Sequence, residues 1–142
     1  CGYNFGDYFA HWLSLDKAGA NLPKIFHVNW FRKGSDGKFL WPGFGDNLRV
    51  LEWIIRRCEG KAAAVDTPIG HVPGKADVNL DGLNLNDYAL TQLLHIDESG
   101  WSREFEAISD YLEEYGPRTP AALKAEAKRI ANLLNAVEEK VA

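Results

Sequence analysis

The stretch WFRKGSDGKFLWPGFGDN, residues Trp30 to Asn47, decides how this chain is read. It sets Trp30, Phe31, Phe39, Trp41 and Phe44 among Gly34, Gly37, Gly43 and Gly45, with Pro42 and basic residues between them. Buried strands carry aromatics but rarely this much glycine, and loops carry glycine but rarely this many aromatics. Large flat side chains on a loop-rich frame suit a flat ligand, and a nucleobase qualifies because every base offers a π face. Asn47 closes the stretch with an amide that both donates and accepts hydrogen bonds. A β-hairpin that packs the same aromatics into a core is the other reading, and composition leaves both open.

The flanking residues frame this stretch. Lys24 to Phe31 alternates as a strand. Phe26, Val28 and Trp30 point one way, toward a core, while Ile25, His27, Asn29 and Phe31 point the other, as a mixed pocket wall. Gly34-Ser35-Asp36-Gly37 is a turn by composition, so Lys38 to Trp41 is expected to return as the second strand of a hairpin, which Pro42-Gly43 then breaks. Asn47 to Cys58 follows as a helix with Leu51, Ile54, Ile55 and Cys58 as its buried stripe and Trp53 alongside. Glu52 and Arg56 are spaced for a surface pair. Asp46 or Asn47 is expected to cap the helix start, where free N–H groups favour acceptor-rich ligands.

Further out, the chain is mostly helical. Asn4 to Leu15 reads as a helix, with Asn4 as cap, Asp7 completing a variant capping box, and Tyr8, Phe9, Trp12 and Leu13 on one face. Asp16 to Pro23 is a loop and Gly60 to Gly74 is irregular. DVNLDGLNLND, Asp77 to Asp87, matches the first half of a calcium loop but has Tyr88 where the closing carboxylate belongs, so a polar turn leading into a helix is preferred. Asn86 to His95 reads as a short helix with Leu90, Leu93 and Leu94 inward. Trp101, Phe105, Ile108, Leu112 and Tyr115 then step by four and three, as do Leu123, Ala127, Ile130, Leu134, Val137 and Val141. Gly116-Pro117 separates the two runs, and Thr119-Pro120 is expected to cap and open the second. Two such helices on a short connection should pack antiparallel.

The totals narrow the classes. A chain of 142 residues, 46% hydrophobic, supports one domain or part of one. A net charge of −4 is the wrong sign for a general nucleic-acid binder. No apolar run approaches ~18 residues, and no charged-then-apolar leader opens the chain. Cys1 and Cys58 match no metal or redox spacing, so a reduced cytoplasmic setting is expected. The chain begins at Cys1 and contains no methionine, which suggests a piece of a longer protein. It contains neither G-x-x-x-x-G-K-[ST] nor G-x-G-x-x-G. His11, His27, His71 and His95 are scattered and read as structural, and no nucleophile sits beside a base in any local pattern.

The runs CGYNFGDYFAHWLS, LPKIFHVNWFRKGSDGKFLWPGFGDNLRVLEW and TPIGHVP closely resemble the C-terminal part of GTP-dependent phosphoenolpyruvate carboxykinases. The resemblance is dense from Cys1 to Cys58, returns at Thr67 to Pro73, and thins over the tail. It implies an enzyme, a carboxy-lyase, that converts oxaloacetate and GTP to phosphoenolpyruvate, GDP and carbon dioxide in gluconeogenesis or anaplerosis. It also implies that Phe31, Phe39 and Phe44 hold the guanine, with Trp30 and Trp41 beside them. The family's phenylalanine-glycine-acid-asparagine motif falls on Phe44, Gly45, Asp46 and Asn47, whose asparagine reads the guanine edge. Asp46 stands where glutamate is usual and Leu48 where serine is common, and neither change removes an aromatic or Asn47. The catalytic parts that the resemblance implies lie before Cys1: the phosphate loop, the manganese ligands, the substrate arginines and the lid. This chain is thus expected to hold the base without catalytic residues or metal ligands of its own, with manganese and magnesium serving the full enzyme.

The expected fold class is α/β, the C-terminal portion of a mixed α/β nucleotide-binding kinase-like domain: a β-hairpin with flanking helices, then a helical tail. Residues 1–74 are expected to belong to the nucleotide-binding domain, with the guanine pocket at 30–47, and residues 75–142 to its tail. Expected partners are a guanine nucleotide and, for the full enzyme, oxaloacetate and phosphoenolpyruvate, with no nucleic acid, no membrane and a monomeric full-length state. The first helix and strand are expected to belong to a sheet whose other strands are missing, so the piece alone should be poorly soluble. The alternative is a non-catalytic aromatic-pocket module for RNA bases or sugars; a calcium-dependent module at Asp77 to Asp87 is a third.

Overall fold

The computed structural model describes the backbone of residues 2–141 and the side chains of residues 2–135. The expectations placed on Cys1, Val137 and Val141 lie outside the described residues or side chains. Two compact units are present: one is Lys24–His95, the other joins the residues up to Pro23 to those from Ile96 onward. The architecture is mixed helix and strand, five α-helices with one two-stranded antiparallel sheet among the described residues.

In the unit formed by both ends of the chain, α1 is Phe5–Leu13. Asn4 caps it by accepting the Gly6 N–H at 2.7 Å. Asp7 leaves the expected capping box and accepts a hydrogen bond from Arg118 Nη1 instead, at 2.7 Å. Gly6 is buried because the chain passes close by: a Cβ here would stand 2.6 Å from the Arg118 carbonyl oxygen. Tyr8 and Phe9 are half-buried, while Trp12 and Leu13 stay exposed.

Helix α4 is Glu98–Glu113 and α5 is Ala121–Val141. Lys124 on α5 pairs with Glu113 on α4 at 2.6 Å, and Asn135 meets Ser102 at 3.4 Å. As the number rises along α5 it falls along α4, so the pair is antiparallel, as the stepped apolar residues require. Leu112, Ala127 and Leu134 are buried, and Trp101, Phe105, Ile108, Leu123 and Ile130 are half-buried. Thr119 departs from its expected role as cap of α5. Its buried hydroxyl donates to the Leu112 carbonyl at 2.6 Å, one of the acceptors that the end of α4 leaves without a helical partner.

In the other unit, α2 is Asn47–Cys58, the expected span. Its buried face is not the expected one. Trp53 is buried at 4% exposure with Val50, Ile54 and Arg57 half-buried around it, while Leu51, Ile55 and Cys58 are exposed. Apolar residues occupy both sides of this helix, so periodicity cannot choose between them. The indole settles it: Trp53 Nε1 donates to the Ala63 carbonyl at 3.2 Å, and Phe26 meets the ring edge-on at 6.1 Å. The Glu52–Arg56 pair does not form among the described contacts, and Arg56 reaches the Lys61 carbonyl instead.

Residues 60–74 are not irregular throughout. Val65–Thr67 (β1) and Gly70–Val72 (β2) pair antiparallel, with Val65 opposite Val72. The sequence hides this hairpin because three-residue strands are too short to show alternation. Helix α3, Asp87–Leu94, is capped by Asn86, which accepts the Ala89 N–H at 2.8 Å, and buries Leu90. Asp77 and Asn79 hold turns, accepting the N–H groups of Gly74 and Asp81.

The segment Lys24 to Phe31 forms no regular strand. No neighbouring strand pairs with it among the described residues, and Asn29 Oδ1 accepts the Phe31 N–H at 2.9 Å, turning the chain at its end. The alternation itself survives: Phe26, Val28 and Trp30 are half-buried, and Ile25, His27, Asn29 and Phe31 are exposed. The expected return at Lys38 to Trp41 is reduced to a single bridge, Lys33 opposite Phe39, with Leu40 N–H donating to the Arg32 carbonyl at 2.9 Å. Gly34 to Gly37 makes the turn, with Gly37 at φ 76°.

Candidate functional site

The five rings of Trp30 to Asn47 separate into two layers. Trp41 is buried at 8% exposure, and Trp30, half-buried, leans on it with ring centroids 6.2 Å apart. The phenylalanines face outward: Phe31 is 70% exposed, Phe39 57% and Phe44 91%. Phe31 and Phe39 meet edge to face at 5.9 Å across the narrow turn. The alternation of residues 24–31 explains one of these placements, because it puts Phe31 opposite the inward Trp30. The single bridge at Phe39 brings its ring back beside Phe31.

Phe44 is carried by different local chemistry. Pro42 cannot donate to a ladder, and Gly43 at φ 138° adopts a backbone open to glycine. Phe44–Asp46 then form a 3₁₀ turn that runs directly into α2. Nothing lies within 4 Å of where a Gly45 Cβ would stand, so no contact inside the chain explains that glycine.

Neither Asp46 nor Asn47 caps α2 through its side chain, contrary to expectation. Asp46 Oδ1 accepts from Arg49 Nε at 3.1 Å, and Arg49 Nη1 continues to the Asn79 carbonyl at 2.9 Å. Asn47 Oδ1 accepts the Trp41 indole N–H at 2.9 Å. Both acceptors are therefore engaged by the protein's own donors. Two supporting residues escaped the sequence reading. Arg49 ties down the acid, a role its i, i+3 spacing from Asp46 hints at. Lys33 places Nζ 5.4 Å from the Phe39 ring centroid, a cation–π contact that only the hairpin bridge creates.

Among the described residues, no group of three or more His, Cys, Asp or Glu is close enough to hold a metal ion. His71 Nδ1 pairs with Asp66 Oδ1 at 2.7 Å across the small sheet, and both side chains are exposed. Asp77 and Asn79, the opening residues of the calcium-like stretch, are engaged with backbone N–H groups.

Exposed aromatic rings on a loop-rich segment that runs into a helix start are the features this stretch presents. The comparisons are more specific. Residues 1–132 match the family model described as the phosphoenolpyruvate carboxykinase C-terminal P-loop domain. The chain is 48% identical over 140 residues to phosphoenolpyruvate carboxykinase [GTP] of Chlamydia abortus, covering 97% of this chain and 23% of that protein. It is 50% identical over 127 residues to the enzyme of the same name from Renibacterium salmoninarum, covering 88% of this chain and 21% of the relative. With the cytosolic [GTP] form of Gallus gallus it shares 55% identity over 113 residues, 79% of this chain and 18% of the relative. The chain belongs to the GTP-dependent phosphoenolpyruvate carboxykinase family, and it spans less than a quarter of the length of these relatives.

Proposed function

We propose that Lys24–His95 carries the guanine-binding surface of a phosphoenolpyruvate carboxykinase that uses GTP. The carrying observation is the split of one short stretch into a buried tryptophan layer and an exposed phenylalanine layer. A hairpin core would bury all five rings; here Trp41 is buried and Phe31, Phe39 and Phe44 are left for a ligand. Base stacking on such rings contributes about 1–3 kcal/mol per base. Asn47, Gly45 and Asp46 complete the site, Asn47 as a contact to the base edge, Gly45 as room for close approach, and Asp46 as a support tied to Arg49.

The same proposal takes the whole protein to convert oxaloacetate and GTP to phosphoenolpyruvate, GDP and carbon dioxide, with this chain positioning the nucleotide. It places residues 1–74 in a kinase-like nucleotide-binding domain and residues 75–142 in its helical tail. The described residues do not fit the manganese or magnesium of the family, since no three of their His, Cys, Asp and Glu side chains converge. Metal ligands and phosphate contacts are assigned to parts of the protein beyond this chain. Cytoplasmic location and a monomeric state are part of the proposal; no helix among the described residues is long and apolar enough to cross a membrane. The test is tryptophan fluorescence of the full-length enzyme. GTP should change the emission of Trp30 and Trp41, and ATP at the same concentration should not. Equal responses to both nucleotides would remove guanine selectivity from this surface.

A further inference from the structure

We infer that Trp41 is a positioning residue that sets which purine this surface accepts, by fixing the orientation of the Asn47 amide. The inference rests on the base-binding proposal above. An indole N–H donates and cannot accept, so the Asn47 atom it meets at 2.9 Å is the carbonyl oxygen. The amide is therefore not free to present either end. Its oxygen is committed inward, and no described hydrogen bond occupies its Nδ2. With Oδ1 turned to Trp41, the end of the Asn47 amide left for the base is Nδ2 with its two N–H donors.

That polarity selects a 6-oxo purine. A guanine or hypoxanthine O6 accepts from Nδ2, whereas the 6-amino group of adenine is itself a donor and meets a donor. For the adenine 6-amino group to find an acceptor on Asn47, the amide must turn over, and the Trp41 N–H then loses its acceptor. Trp41 is 8% exposed and Trp30 lies against its ring, so neither water nor a swing of the indole readily replaces the lost partner. Discrimination against adenine thus includes a cost located on a tryptophan that does not touch the base.

The experiment compares GTP, ITP and ATP on the full-length enzyme. ITP and ATP share an unsubstituted 2-position and differ at the 6-position and its adjacent ring nitrogen, so their ratio of KM and Kd values isolates this effect. Trp41→Phe keeps an aromatic ring and removes the N–H. It should improve ATP relative to ITP by roughly 5- to 150-fold, the range that one unpaired buried donor represents, and leave the GTP-to-ITP ratio unchanged. A purely structural role would weaken all three nucleotides in proportion, and an unchanged ITP-to-ATP ratio overturns the inference. Asn47→Asp is the second variant, which keeps an acceptor for Trp41 and replaces the outward donor by an acceptor. It should move preference from ITP toward ATP; retained ITP preference overturns the inference even if Trp41→Phe does not fold. Phe44→Ala separates the two levels. If it weakens all three nucleotides while Trp41→Phe and Asn47→Asp leave the ITP-to-ATP ratio unchanged, the inference fails alone. If it affects none of them, the base-binding proposal fails and the inference with it.

Discussion

Phe44→Ala is the most decisive single change, because its costs to folding and to binding can be worked out separately. The side chain is 91% exposed, so folding within this chain removes only about a tenth of its surface from water. For a phenylalanine that offers roughly 200 Å², this is about 20 Å², or about 0.5 kcal/mol at ~25 cal/mol per Å². Stacking on a base is worth about 1–3 kcal/mol, or roughly 5- to 150-fold in affinity. The variant of the full-length enzyme should therefore melt within a few degrees of the parent while its KM for GTP and its Kd for GDP rise by that factor. Thermal melting followed by circular dichroism gives the first quantity, and calorimetric titration with GDP gives the second. A large drop in melting temperature with unchanged nucleotide affinity would refute the reasoning, since it would make Phe44 a core residue covered by the rest of the protein.

Trp53→Ala should do the reverse. Trp53 is 4% exposed, packs on Phe26 and bonds the Ala63 carbonyl, so its removal should cost about 3–5 kcal/mol of stability, read from denaturant melts of the full-length protein. A stability loss below about 1 kcal/mol would show that this indole is not the packing centre of its unit. Tyr115 supplies a pH dependence. Hydrogen bonding with Tyr111, aided by burial and the Glu114 charge, pushes its phenol up to about 12. An unfolded tyrosine titrates near 10, so the unfolded chain loses the proton first. The contribution is fully present below pH ~10 and is lost as pH rises through about 12. Ultraviolet titration of phenolate should find one late-ionising tyrosine that Tyr115→Phe abolishes; no difference between the two proteins would contradict the assignment.

The sequence alone determined the helices and the composition of the aromatic stretch. Spacing of three and four placed α2 on its observed span and the α4–α5 pair in its antiparallel arrangement, because helical periodicity is a local property repeated over several turns. Alternation over residues 24–31 predicted which side chains turn inward even though no strand forms there, since side-chain direction follows the extended chain and a strand also needs a partner. The resemblance drew attention to Phe31, Phe39, Phe44 and Asn47 as a set. Only the tertiary structure decided what each of them presents. Both faces of α2 carry apolar residues, and burial was settled by where Trp53 found an acceptor. The rings at 30–47 have similar apolar character, yet Trp41 is buried beside Trp30 and Asn47 while Phe44 is left exposed on a turn. Asn47 is amphoteric as a residue type, so nothing in its identity says whether it gives or takes a hydrogen bond. The Trp41 N–H, six residues earlier and 2.9 Å away in the fold, removes that freedom and gives the amide a direction.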